Sequence, residues 1–175
     1  MEIKKIAFLD VYSYEDSTVM GVIMATDSDT KPIEFRITSP IKPTNIQKIL
    51  YGNVLKEHIL VELLALPLIK ALNENIDIIL VNNPLFLGIN SKQDIQTVRI
   101  FTSNSTNGEK GSSLQLKPAN GTPNALYIDT SKEIENELGS IVVSLGKIAK
   151  IRDLVEPFER LQLACEQVSV KRSKE

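Results

Sequence analysis

Residues 53–83, NVLKEHILVELLALPLIKALNENIDIILVNN, decide the fold, because a long apolar helix pattern runs directly into a buried strand pattern. The helical part has apolar side chains on most of its faces, which indicates burial against a sheet and further elements. Pro67 cannot donate a backbone hydrogen bond and is predicted to kink this helix. The apolar run at 78–81 predicts a strand that enters the same sheet and ends at Asn82 and Asn83.

Three strands are predicted upstream of this helix. Residues 3–12 and 18–26 are apolar on both faces, as expected for central strands. Residues 33–38 alternate between apolar and polar side chains. This alternation predicts a strand with one wet or partner-covered face. The side chains expected to point inward are Ile33, Phe35 and Ile37, and those expected to point outward are Glu34, Arg36 and Thr38.

A short helix is predicted between the third strand and the long helix. Thr44 and Gln47 have the spacing of a capping box, in which each side chain binds the backbone N–H of the other. Gly52 is placed to end this helix, and Asn53 is placed to cap the long helix, which runs to about Glu74. The chain therefore begins with the order β-β-β-α-α-β.

The rest of the chain completes a mixed α/β domain, with a mixed central sheet flanked by helices. Short strands are expected on either side of a mobile polar excursion at 103–124. The last helix is predicted over 153–168. Together the elements predict a single globular domain over 1–170, followed by a disordered tail at 171–175.

Composition and charge favour an ordinary soluble protein. The 175 residues are 42% hydrophobic and carry a net charge of −2, from 20 basic and 22 acidic side chains. A free-standing nucleic-acid binder usually has a basic excess, so the net charge does not support a nucleic-acid partner, although a local basic patch stays open. No signal-peptide pattern or membrane-spanning stretch is found, so we expect a cytoplasmic location and no membrane partner.

The order strand, strand, strand, helix, strand over residues 3–83 resembles the ribonuclease H-like fold. Nucleases of that fold place one acid on the first strand, a second on the first helix and a third at the end of the fourth strand. These acids hold two magnesium ions. The resemblance implies Asp10 as the first acid and Glu57 or Glu62 as the second. At the third position stand the neutral amides of Asn82 and Asn83, so the third ligand is missing or comes from elsewhere, and a catalytically degenerate site is expected.

The same residues have structural alternatives. Asp10, near a strand end, could accept backbone hydrogen bonds instead of binding a metal. His58 and Glu62 are four residues apart on a helix, which suits either a general base oriented by a carboxylate or an ordinary surface pair. Cys165 is the only cysteine and lies among apolar helical neighbours, so we expect it in the core.

The segment at 32–52, PIEFRITSPIKPTNIQKILYG, resembles the core of a family of small, uncharacterised bacterial proteins for which no function is known. On the residues alone, a strand face followed by a short helix gathers mixed charge and an aromatic anchor. We expect either a solvated strand face or a docking surface, the latter made of Glu34, Arg36, Lys42, Lys48 and Tyr51.

Two functional predictions follow. The main one is a non-enzymatic protein-interaction or structural subunit of a cytoplasmic complex, because no catalytic set is complete. Its partner would be another protein or a second copy, and it would need no cofactor and no metal. The alternative is a nucleic-acid-binding protein or a metal-dependent, degenerate ribonuclease H-like nuclease, which would use magnesium with Asp10, Glu57 and Glu62.

Overall fold

Seven strands form one mixed sheet in the computed structural model, which describes residues 1–103, 113–117 and 125–173. In chain order the strands are β1 (Lys5–Ser13), β2 (Val19–Asp27), β3 (Pro32–Ile37), β4 (Ile78–Val81), β5 (Thr97–Thr102), β6 (Leu114–Leu116) and β7 (Leu126–Asp129). Across the sheet their order is β3-β2-β1-β4-β5-β7-β6.

The centre of the sheet confirms the predicted return of the chain. Strand β1 pairs antiparallel with β2 and parallel with β4, and β4 pairs parallel with β5. Strands β2 and β3 are antiparallel, as are β5 and β7. The mixed α/β class and the ribonuclease H-like order of elements are therefore both confirmed.

Five α-helices surround the sheet within the described residues. They are α1 (Asn45–Tyr51), α2 (Leu55–His58), α3 (Leu66–Ala71), α4 (Leu138–Ala149) and α5 (Glu156–Ser173). A π-helical segment, Ile59–Ala65, joins α2 to α3, so the long predicted helix is one distorted helical run over 55–71. Shorter 3-10 helices span Gly52–Val54, Pro84–Ser91 and Lys132–Glu137.

Local sequence explains how the first helices begin and end. Both hydrogen bonds of the predicted capping box between Thr44 and Gln47 are present. Gly52 ends α1 with a φ of 52°, in the left-handed region that glycine tolerates. The predicted cap at Asn53 is wrong, because the chain passes through a 3-10 turn into α2 without any side-chain cap. Pro67 lies in the first turn of α3, directly after the π-helical segment.

Each face of the sheet has its own apolar core. Ile6, Phe8 and Leu80 face α4 and α5, and the ring of Phe8 contacts that of Phe158 on α5. Ala7, Leu9 and their neighbours instead face the helical run over 55–71 and the 3-10 helix at Pro84–Ser91. Residue parity along β1 therefore decides which helices a side chain meets, and Asp10 shares the face of Phe8.

Strand β3 departs from the predicted alternation at Ile33, Glu34 and Phe35, whereas Ile37 packs against the core as predicted. Ile33 and Phe35 are 44% and 37% exposed, whereas only 8% of the Glu34 side chain is exposed. The Glu34 carboxylate accepts hydrogen bonds from the backbone N–H groups of Asn73 and Glu74, just past the end of α3. Free donors beyond a helix end therefore outweighed the hydrophobic pattern on this edge strand.

The C-terminal parts of the chain differ in part from expectation. Helix α5 continues to Ser173, past the predicted end at 168, while residues 174–175 lie outside the described part. Most of the predicted excursion at 103–124 also lies outside it, apart from Ser103 and residues 113–117, which contain β6. Among the described residues, no helix has the length and apolarity needed to cross a bilayer.

Candidate functional site

Asp10 is a buried carboxylate at the end of the sheet where the parallel strands β1 and β4 have their carboxyl ends. It is 4% exposed. Its Oδ1 accepts a hydrogen bond from the backbone N–H of Val11 at 2.8 Å. Its Oδ2 accepts one from Gln162 Nε2 at 2.9 Å and a longer one from Asn82 Nδ2 at 3.5 Å. Two amides therefore hold one carboxylate oxygen.

Three elements bring these side chains together. Asn82 directly follows β4, which lies beside β1 in the sheet. Gln162 lies on α5, next to the buried Leu161, and also donates to the carbonyl of Val11 at 3.1 Å. Gln162 thus ties the last helix to the end of the central strand, a role that the sequence analysis did not identify.

Burial raises the pKa of two groups at this site, the Asp10 carboxyl and the Cys165 thiol. The pKa of Asp10 is raised above its ordinary value by burial, although hydrogen bonds from Val11, Gln162 and Asn82 act in the opposite direction. Burial also raises the pKa of the nearby Cys165 thiol to about 11, and the charge of Asp10 contributes. The thiol is therefore protonated at neutral pH, and its buried position confirms the predicted core role.

An open cavity of about 600 Å³ lies over Asp10, and we call it the amide cavity. It contains one further carboxylate, that of the exposed Glu159, one turn before Gln162 on α5. Its lining residues are Asp10, Asn82, Val155, Phe158, Glu159, Gln162 and Leu163. The cavity therefore combines the hydrogen-bonding and negatively charged groups around Asp10 with apolar side chains.

The residues of the amide cavity do not fit a pair of magnesium ions. Magnesium binds carboxylate and phosphate oxygens strongly, and two such ions need several anionic oxygens between them. Asp10 supplies one carboxylate here, but Asn82 and Gln162 present N–H groups to it. Within the described residues, no group of three or more His, Cys, Asp or Glu side chains is placed to hold a metal.

Glu57 and Glu62, the other acids of the predicted nuclease site, lie apart from Asp10. They belong to the helical run on the opposite face of the sheet and line a separate cavity of about 280 Å³. Glu62 lies 3.4 Å from His58 Nδ1 and 3.9 Å from Lys92 Nζ, all partly exposed. The His58–Glu62 pair is therefore part of a mixed surface cluster, and the structure does not bring it to the amide cavity.

A second cavity lies at the same carboxyl ends, on the face covered by α2, and we call it the lysine cavity. It has a volume of about 520 Å³. Its one charged lining residue is Lys56, and its polar lining residues are Ser13, Ser17, Asn53 and Asn83. Lys56 is exposed and makes no ion pair in the part of the chain that the structure describes. The two cavities flank one edge of the sheet.

The predicted docking residues have separate roles in the structure. Glu34 binds backbone N–H groups beyond α3 and forms an ion pair with Arg36. Lys42 forms an exposed pair with Asp16 at 3.4 Å. Tyr51 stacks on His58 with ring centroids 4.6 Å apart, and Lys48 is exposed on α1. Glu34 and Tyr51 therefore make contacts within this chain.

Two solved structures have folds similar to that of this chain. Human ENDOV matches over 99% of this chain and 87% of its own, with a TM-score of 0.56 and 10% sequence identity. Endonuclease V of Ciona intestinalis, in complex with a 23mer DNA containing an inosine followed by a ribo-adenosine, matches over 81% of this chain and 76% of its own. Its TM-score is 0.50 and its identity 10%. No protein-family model and no curated protein matches the sequence, so the predicted bacterial family is not confirmed.

These comparisons overturn the main functional prediction. The solved structures that share this fold include an endonuclease V bound to DNA and human ENDOV, and neither supports a non-enzymatic protein-interaction subunit. They give no support for a protein partner or for self-association either. At 10% sequence identity these matches show the fold alone, and that fold is the ribonuclease H-like arrangement named in the alternative prediction.

Proposed function

We propose that this chain is a nucleic-acid-binding protein, which holds the phosphate backbone of its ligand at the carboxyl ends of β1 and β4. The observation that carries the proposal is the lysine cavity, in which Lys56 lies at this edge of the sheet without a carboxylate partner among the described residues. We expect the protein to act in the cytoplasm.

The fold supports this location for a ligand. In open sheets with parallel strands, ligands bind in crevices outside the carboxyl ends of those strands. Strands β1 and β4 are parallel neighbours at the centre of this sheet, and both cavities open beside their ends. A solved protein with this fold is in complex with DNA.

The distribution of charge supports the lysine cavity as the place where the phosphates bind. Lys56 lines this cavity, and Lys48 lies on the neighbouring α1, exposed and without an ion pair in the described part of the chain. The amide cavity instead contains the carboxylates of Asp10 and Glu159, which repel phosphate. With a net charge of −2, the protein has little long-range attraction for nucleic acid, so a local contact must supply the affinity.

A charge-reversal experiment tests the proposal. Fluorescence anisotropy would follow binding of labelled single-stranded DNA, single-stranded RNA and duplex DNA of about 16 nucleotides, in EDTA. Lys56→Glu should weaken binding about tenfold, equivalent to about 1.4 kcal/mol, and should lower the dependence of affinity on salt by about one phosphate contact. Lys70→Glu is the matched control, because it makes the same charge change about 20 Å away along the same helical run.

The outcomes separate the proposal from its rivals. Equal effects of Lys56→Glu and Lys70→Glu, or no binding of any probe at low salt, would refute it. Incubation of the same probes with Mg²⁺ or Mn²⁺ should leave them intact. Cleavage that requires the cation and disappears in Asp10→Asn would replace the proposal with a metal-dependent nuclease.

A further inference from the structure

Asn82 and Gln162 lie beside Asp10. Asp or Glu side chains of similar size at these two positions would present acceptor oxygens to Asp10 instead of N–H donors. Asn82 and Gln162 both direct an amide N–H group at Asp10 Oδ2, at 3.5 Å and 2.9 Å. An amide and a carboxylate have nearly the same shape, but the amide is neutral and offers one acceptor oxygen instead of two. The difference between the two groups is therefore chemical and not geometric.

The N–H groups work against a cation at this centre. A divalent ion bound to Oδ2 of Asp10 would have to displace the donors that satisfy this oxygen. It would then find one carboxylate and two neutral amides, with Glu159 exposed at the rim of the cavity. Divalent cation affinity falls as the number of charged ligands falls, so this exchange is unfavourable.

We propose that Asn82 and Gln162 close the Asp10 centre to divalent cations, and that carboxylates at these two positions would turn it into a Mg²⁺ or Mn²⁺ site. The inference goes beyond nucleic-acid binding and does not depend on it, because it concerns cation binding in the absence of any nucleic acid. It also gives the two amides a shared role. Their N–H groups supply hydrogen-bond donors to the buried Asp10 carboxylate, so this carboxylate does not need a bound metal ion as a partner.

The paired substitution Asn82→Asp with Gln162→Glu is the direct test, with Mn²⁺ as the probe. Isothermal titration calorimetry should show binding at least about tenfold tighter than to the wild type. The control is Asn82→Asp with Gln167→Glu, which adds the same charge on the same strand end and helix. Gln167 is exposed and turned away from Gln162 by about 140° around α5, so this control adds only one carboxylate beside Asp10 and should bind Mn²⁺ more weakly than the paired variant.

Mutual repulsion of the new carboxylates is expected to destabilise the paired variant in EDTA, so its thermal midpoint should rise on addition of Mn²⁺. Failure to fold even in Mn²⁺, or binding no tighter than that of the control, would overturn the inference.

The wild type supplies a test that needs no variant. Paramagnetic broadening by Mn²⁺ should spare the Val11 amide and the side-chain amide signals of Asn82 and Gln162. Selective broadening of these signals at low Mn²⁺ would also overturn the inference.

Discussion

Replacement of Gln162 by leucine removes the amide above Asp10 and keeps a side chain of similar size. The amide donates a charge-assisted hydrogen bond to Asp10 at 2.9 Å and a neutral one to the Val11 carbonyl at 3.1 Å. Such bonds contribute about 1.5–3 and about 0.5–1.5 kcal/mol respectively. Because Gln162 is only half-buried, water replaces part of this loss, and we expect the free energy of unfolding to fall by about 2 kcal/mol.

Urea denaturation at neutral pH, followed by circular dichroism, measures this change directly. A double-mutant cycle with Asp10→Ala isolates the charged bond, and the two substitutions should show a coupling energy of about 1–2 kcal/mol. Gln167→Leu, at an exposed position of the same helix, is the control and should change stability by less than about 0.5 kcal/mol. If the stability cost of Gln162→Leu stays the same in the Asp10→Ala background, the Gln162 amide does not stabilise the Asp10 carboxylate.

The remaining predictions concern the same strand and its neighbour. Burial raises the pKa of Asp10 in the folded protein, so its contribution to stability is lost as pH rises from near 3.8, its ordinary value, through the folded pKa. The stability of Asp10→Asn relative to the wild type should therefore increase with pH across this window in urea titrations, and a decrease would contradict the assignment. Gly21→Ala would place a Cβ 2.9 Å from both Leu64 Cβ and Leu68 Cδ1. It should destabilise the protein by about 1–3 kcal/mol, whereas an unchanged thermal midpoint would show that the helical run yields easily.

The predicted β-β-β-α-α-β order was confirmed because it depends on local patterns. Buried strands with apolar side chains on both faces, a capping box at Thr44 and a nearly all-apolar helix each leave a signal within a few residues. The predicted burial of Ile33 and Phe35 and the predicted exposure of Glu34 were wrong, because the contacts of Glu34 are not local. The alternation of β3 was clear, but the donors that bind Glu34 come from beyond α3, about forty residues later in the chain.

Only part of the candidate site could be predicted from the sequence. Asp10 and Asn82 could be assigned to strand ends from their flanking apolar runs. Gln162 gave no such signal, because it lies 152 residues from its partner Asp10 and is one of several polar residues on a helix. Glu57 and Glu62 were assigned to the helix correctly, but the sequence alone did not show that this helix covers the face opposite Asp10.

The most direct test of nucleic-acid binding at this edge is a residue-resolved NMR titration of the wild type in EDTA with the tightest-binding oligonucleotide. Binding at the lysine cavity should concentrate the backbone amide shifts at 52–56 and Asn83, while residues at the opposite end of the helical run, near Lys70, stay unchanged. Shifts confined to surfaces away from β1 and β4, or no shifts at saturating oligonucleotide, would contradict it.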